Sequence, residues 1–249
     1  MRADFNVPQD ASLNITDDTR IRATLPSIKY ILQNGAQKLV LMSHLGRPDG
    51  KVIAKYSLKP VALRLQELTG DQVKFMNDCV GDNIKREIDS VNEKIILLEN
   101  LRFHAEEEAN TSGFAKQLAS LADIFVNDAF GTAHRAHAST EGVARYLKSA
   151  AGFLLEKEIQ YLGNVVSNPQ RPFIVILGGA KVFDKIGLIE NLLPKCDCLI
   201  IGGGMSYTFL KAKGKQIGNS MLEKDKLDLA KTILDKAKSL KKEILLPVD

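Results

Sequence analysis

The chain has 249 residues, 45% of them hydrophobic and 26% charged, with a net charge of +4. This is the composition of a globular protein long enough to bury one large core or two ordinary ones, and it excludes a low-complexity chain. Residues 1–150 balance 19 Lys/Arg against 19 Asp/Glu, whereas residues 151–249 carry 15 against 11, so no strong global field is available to attract a polyanion to the first half.

The chain opens on "MRADFNVP", with a turn signal inside eight residues. From there strand-like and helix-like segments alternate. "TLPSIKYILQNG" (24–35) is amphipathic and ends in Asn-Gly, as helices do. "KLVLMS" (38–43) is a short continuous apolar run, the pattern of a parallel strand buried on both faces. A helix follows in "LKPVALRLQELTG" (58–70), a strand in "KIILLE" (94–99), a helix in "GFAKQLASLA" (113–122) and a strand in "DIFVND" (123–128). "EGVARYLKSA" (141–150) also reads as a helix, and so does 152–172 up to its Ser-Asn-Pro-Gln-Arg-Pro breaker. Strands are expected again at "PFIVIL" (172–177), "CLIIG" (198–202) and "EILLPV" (243–248), with "KDKLDLAKTILDKAKSL" (224–240) as a helix before the last.

The alternation predicts an α/β fold with open, doubly wound, mainly parallel sheets. A helix near Gly152 without a strand of its own suggests a bridge. The expected domains are 1–151 and 170–249, joined by a helix and hinge over 152–169. Most of the excess lysine lies between Lys211 and Lys242, on expected helix surface and without interleaved aromatics, which argues against a nucleic-acid partner. No apolar run has the ~18–20 residues of a membrane span. Cys79, Cys196 and Cys198 do not form a disulfide framework, and no Cys/His spacing marks a zinc site. Reduced thiols in the cytoplasm are the expectation, and no residue is expected to ligate a metal.

In open α/β sheets, ligands bind beyond the carboxyl ends of the strands. The segments that follow the expected strands are "SHLGRPDG", "ENLRFH", "NDAFGTAHRAHAST", "GGAKVFDK" and "GGGMSY". All four histidines fall in these tails, as do Arg47, Arg102 and Arg135. Arginine grips phosphate or carboxylate through a planar fork of donors, so several Arg-bearing tails at one sheet edge suit a small polyanion. The opposing reading pairs Arg47 and Arg102 with Asp49 and Glu106–Glu108. In the second half the tails are Gly-rich, which lets backbone N–H groups approach nucleotide phosphates. Lys181 and Lys185, four apart at the expected opening of the next helix, could face the same way. Neither the Walker loop nor the dinucleotide fingerprint is present. Arg/His loops in one half and Gly/Lys loops in the other describe a two-domain phosphotransferase.

Carried by "RADFNVP", "RIRATLPSI", "SHLGRP", "LLENLRFHAEEE", "VNDAFGTAHRAHAST", "GFLLEKEI", "LGGAKVFDKI", "LIIGGGMSYTFLKA" and "LLPVD", the chain resembles the phosphoglycerate kinase family from end to end. The resemblance implies reversible phosphoryl transfer between 1,3-bisphosphoglycerate and Mg-ADP, giving 3-phosphoglycerate and Mg-ATP, in a cytoplasmic monomer with two Rossmann-like three-layer lobes. It implies that Asp4, Asn6, Arg20, His44, Arg47, Arg102 and Arg135 bind the acid. Gly179, Ala180, Lys181, Lys185, Gly203 and Gly204 would then bind the nucleotide. Arg20 and Lys181 would act on the transferring group, with Mg2+ entering on ADP or ATP. No general base is implied, because the acceptor oxygen is anionic in either direction. Neither nucleic acid nor membrane is implied as a partner.

Against the family pattern, the first strand is expected to be cut to Met1–Ala3, leaving an open sheet edge. The second lobe is expected to be incomplete, with about three of its strands and without the magnesium-binding aspartate. The alternative reading is therefore a truncated, non-catalytic fragment that binds 3-phosphoglycerate only. Phe183 and Ala3 also depart from the residues the family pattern leads one to expect.

Overall fold

The computed structural model describes residues 1–248. It divides into two units, Met1–Gln160 and the remainder from Tyr161, each with its own core. The division falls inside the helix that the sequence suggested as a bridge.

In the first unit, α1 (Thr19–Gln33) leads to β1 (Leu39–Leu41), α2 (Lys59–Thr69), β2 (Val73–Phe75), α3 (Asp82–Ser90) and β3 (Ile95–Leu97). Then come α4 (Ala105–Glu108), α5 (Ser112–Ala119), β4 (Ile124–Asn127), α6 (Phe130–Ala133), β5 (Lys148–Ala151) and α7 (Phe153–Ser167). The strands pair in parallel in the order β1-β3-β2 and, separately, β4-β5. Arg2 joins the two sheets, because it bridges Met42 on one side and Asn127 on the other. Its N–H donates to Val126 O at 2.8 Å, and its carbonyl accepts from Asp128 N–H at 2.9 Å. The open edge expected beside β1 is thus occupied by Met1–Ala3, which bonds Val40 O and the N–H and carbonyl of Met42.

Alternation along the strands sends side chains to two cores. Leu39, Leu41, Ile95 and Leu97 pack with Ile21 and Ile28 of α1 and with Val61 and Leu65 of α2. Val40, Met42, Ile96 and Leu98 pack with Ile84 and Ile88 of α3 and with Phe114 and Leu118 of α5. This is a three-layer arrangement, and it explains why the central strands read as unbroken apolar runs. Two strands escaped the sequence reading. β2 is the short "VKF" and is only half-buried; β5 is "KSAA", exposed throughout. Neither has the apolar run that identified the others. The helix expected over 141–150 is not formed. Residues 138–145 wind into π- and 3-10 turns, and 148–151 pair with β4.

The second unit holds β6 (Ile174–Gly178), α8 (Ile186–Leu192), β7 (Cys198–Gly202), α9 (Met205–Ala212), α10 (Leu227–Ser239) and β8 (Glu243–Leu245). Its sheet is parallel, in the order β6-β7-β8. Val175, Leu199, Ile201 and Ile244 share one core with Ile189 of α8, Phe209 of α9 and Ile233 of α10. Those helices cover one face only. On the other, Ile174, Ile176 and Leu245 are exposed, so among the described residues this unit has two layers rather than three. No helix among the described residues is long and apolar enough to cross a membrane.

Candidate functional site

Parallel strands deliver their carboxyl-terminal tails to one edge. In the first unit those tails converge on a cleft of about 260 Å3 lined by Asp4, Asn6, Arg20, His44, Gly46, Arg47, Arg102, Gly131, Thr132 and Arg135. All seven residues expected from sequence to hold the acid are in this lining. Asp4 and Asn6 follow the bridging segment, His44 and Arg47 follow β1, Arg102 follows β3, Arg135 follows α6, and Arg20 sits in the first turn of α1. A larger groove of about 520 Å3, lined by Leu13, Asp18, Arg64 and Glu67 among others, lies elsewhere on the unit. Its only arginine is already paired with Asp18 and Glu67, so it offers no free cation to an anion.

Local structure explains the placement of the "SHLGRP" loop. Asn100 of "ENLRFH" is fully buried and donates to Leu45 O at 2.7 Å and Tyr56 O at 2.9 Å. Gly46 donates its N–H to Asn6 Oδ1 at 2.9 Å, and its carbonyl accepts from Arg102 Nη1 at 2.9 Å. Its φ is +63°, and a Cβ there would lie 2.3 Å from the Tyr56 ring, so only glycine fits. Asn100 and Gly46 escaped the sequence reading as site residues; the "ENLRFH" motif was the signal for the first.

The cleft has an unbalanced charge. Arg20 pairs with Asp4, and Arg102 Nε lies 3.0 Å from Glu108 Oε1. Among the described residues Arg47 and Arg135 have no carboxylate within ion-pair distance. The opposing reading therefore holds for Arg102 with Glu108 and not for Arg47 with Asp49. Burial lowers the Arg102 guanidinium, Glu108 opposes this, and the fields of Arg135 and Arg47 add to it. Burial, followed by the fields of Arg2, Arg102, His137 and Arg135, brings the His44 imidazole down to about 2. His44 is thus neutral at any ordinary pH. Nη2 of Arg2 lies 2.9 Å from His44 Nδ1; an arginine can only donate, so Nδ1 accepts and the ring proton is on Nε2.

Arg2 was missed by the sequence reading. It is 1% exposed and stands directly behind the cleft. Its Nε donates to Ser139 Oγ at 2.9 Å. Ser139 in turn donates through Oγ and N–H to the two carboxylate oxygens of Glu107, at 2.5 and 2.9 Å. Burial lowers Arg2 and raises Glu107, and each holds the other's charge against that cost. In the "NDAFGTAHRAHAST" run the roles divide. Asp128 Oδ1 accepts from Leu154 and Leu155 N–H at 2.8 and 3.2 Å and so caps α7. Arg135 lines the cleft, and its Nε bonds the exposed His134 at 3.3 Å. His137 opens the turn that presents Ser139 to Glu107.

The His44 environment has a consequence for stability. Its folded value is depressed, so the unfolded chain binds the extra proton as pH falls through about 6.5. The native state then loses stability, by about 2 kcal/mol between pH 7 and pH 5. A His44→Gln chain followed by urea unfolding is expected to show a pH slope shallower by that amount. The smaller part carried by His137, which is shifted in the same direction, persists. An unchanged slope would refute the placement of His44.

In the second unit the glycine tails of β6 and β7 touch. Met205 N–H donates to Gly179 O at 2.9 Å. A Cβ on Gly203, whose φ is +67°, would lie 3.0 Å from Gly179 N and O, and one on Gly204 would lie 3.2 Å from Ala180 O. The side chain of Lys185 reaches the same place, with Cε 3.8 Å from the Cβ position of Gly179. Gly179, Ala180, Lys185, Gly203 and Gly204 are therefore together. Lys181 follows Ala180 and is exposed. The expected helical spacing of the two lysines is not formed: Phe183–Lys185 is a 3-10 turn, and α8 begins only at Ile186. Phe183 is 62% exposed and lies under Lys226 Nζ, 4.8 Å from the ring centre.

A family model described as phosphoglycerate kinase matches residues 1–249. The chain belongs to the phosphoglycerate kinase family. It is 57% identical over 251 residues to the cytosolic phosphoglycerate kinase of Nicotiana tabacum, covering 100% of this chain and 62% of the relative. It is 58% identical to the phosphoglycerate kinase of Koribacter versatilis (strain Ellin345), covering 100% and 64%. A chloroplastic phosphoglycerate kinase of Arabidopsis thaliana is also 58% identical, with 52% of its length covered. Among solved structures, the phosphoglycerate kinase of Coxiella burnetii superposes with a TM-score of 0.87 at 43% identity, over 99% of this chain and 62% of that one. The chain thus spans less than two thirds of the phosphoglycerate kinases it matches.

Proposed function

We propose that the chain binds 3-phosphoglycerate and 1,3-bisphosphoglycerate in the Arg-lined cleft and ADP or ATP at the Gly/Lys loops, and that it serves the reversible phosphoryl transfer of its family. One observation carries this reading: four guanidinium groups converge on one cleft, two of them without an acidic partner. Such a site suits a small ligand with more than one anionic group, and arginine forks give it a fixed orientation. His44 adds a neutral Nε2–H donor. Asp4 and Asn6 are assigned to the glycerate hydroxyl and carboxylate region.

Phosphoryl transfer needs positioning and cancellation of charge on the equatorial oxygens, with little covalent help. Arg20 and Lys181 are assigned to that charge, and Lys185 with the Gly179, Ala180, Gly203 and Gly204 backbone to the nucleotide phosphates. No proton-transfer role is assigned to His134 or His137. The residues assigned to the nucleotide are N–H and ammonium donors. They fit phosphate oxygens and not a cation, so Mg2+ is assigned to arrive with the nucleotide and no step is routed through it. The relatives are named for both cytosol and chloroplast; the cytoplasmic, monomeric state rests on the resemblance and is proposed with it.

Calorimetric titration tests the reading. 3-Phosphoglycerate is expected to bind at one site, more weakly as salt is raised. Mg-ADP is titrated separately, and a coupled turnover assay follows. Failure of 3-phosphoglycerate to bind a chain with native circular dichroism overturns the assignment of the cleft.

A further inference from the structure

We propose that Asp78, Cys79 and His104 form a binding site for a thiophilic divalent cation, zinc being the fitting one. None of the three lines the anion cleft. Asp78 and Cys79 lie in the tail of β2 and His104 in the tail of β3; these strands are parallel neighbours, so residues 26 positions apart meet at one sheet edge. One ligand atom from each residue lies within 4.8 Å of the other two. Zn–S and Zn–N bonds of about 2.3 and 2.0 Å place tetrahedral ligands roughly 3.5 Å apart, so closure needs a shift of about 1 Å.

The surroundings favour a cation. Cys79 is fully buried, whereas the side chains of Asp78 and His104 are 49% and 29% exposed. The metal has a route in, and its fourth position opens to water. His104 Nε2 lies 2.7 Å from Asp78 Oδ1, and its ring rests on Phe114 with centroids 5.3 Å apart, so two of the ligands are already oriented. The carboxylates of Asp78, Glu107 and Glu99 add negative charge around the Cys79 sulfur, which attracts a dication. Binding replaces the His104–Asp78 hydrogen bond by a metal–nitrogen and a metal–oxygen bond, with the ring proton moved to Nδ1, and adds a metal–sulfur bond as the thiol proton is released to solvent. Carboxylate, imidazole and thiolate form a borderline-soft set, suited to zinc rather than to magnesium or calcium.

Cobalt(II), which reports sulfur ligation by absorption, is the probe. Titrated into the reduced chain, it is expected to give a sulfur-to-cobalt charge-transfer band in the near ultraviolet and the visible bands of a four-coordinate ion, and zinc is expected to displace it. Cys79→Ser is expected to abolish the charge-transfer band. His104→Gln, at a partly exposed position that spares the core if the serine variant fails to fold, is expected to weaken cobalt binding by about tenfold or more. Absence of the band in the native chain overturns the proposal. So does a band retained in Cys79→Ser, which would place the ion at Cys196 or Cys198, or an affinity unchanged in His104→Gln, which would remove His104 from the ligands.

Discussion

An Arg2→Met chain is expected to unfold with about 3–5 kcal/mol less free energy than the native chain. The side chain is of comparable length, so lost packing is a small part of this. The main cost is electrostatic. Arg2 holds Ser139, Ser43, Ala3 O and His44 together, and its charge offsets that of Glu107, which is 0% exposed. Removing one member of a buried charge pair leaves the other to bear its full desolvation. The double variant Arg2→Met/Glu107→Gln is therefore expected to lose less than the sum of the two single changes. Urea unfolding of all four chains checks this. A single Arg2→Met change costing under about 1 kcal/mol would show that the network contributes little.

That network marks the limit of what the sequence disclosed. The sheet cores were legible because parallel strands buried on both faces must be apolar throughout, as "KLVLMS" and "KIILLE" are. "VKF" and "KSAA" were not legible, since pairing rather than hydrophobicity makes them strands. Part of the cleft was legible because strand tails share one edge of the sheet, which places Arg47, Arg102 and Arg135 together, whereas Asp4, Asn6 and Arg20 came only from the family resemblance. Arg2 lay hidden because a buried arginine is identified only by what surrounds it, and Glu107 entered only as one of three acids offered as partners to Arg47 and Arg102. Asp78, Cys79 and His104 share no recognisable spacing; only the adjacency of β2 and β3 brings them together.

The cleft makes a second strong prediction. Arg47→Ala and Arg135→Ala are each expected to weaken 3-phosphoglycerate binding by about 10- to 100-fold, and the double variant by roughly the product. These two arginines are selected because no carboxylate among the described residues pairs with them. Arg102 is 5% exposed and braces Gly46, so its removal would mix ligand effects with folding effects. Arg20 already shares its charge with Asp4. Arg47 is exposed, and stability in Arg47→Ala is expected to change by no more than about 0.5 kcal/mol while affinity falls. Arg47→Lys separates charge from geometry. It keeps the cation and loses the planar fork, so it should recover only part of the affinity and show the same salt dependence as the native chain. Calorimetry at two ionic strengths checks all five chains, the native one included. Full recovery by lysine would mean that the cleft attracts its ligand by charge alone. Unchanged affinity in Arg47→Ala and Arg135→Ala would remove the anion from the cleft altogether.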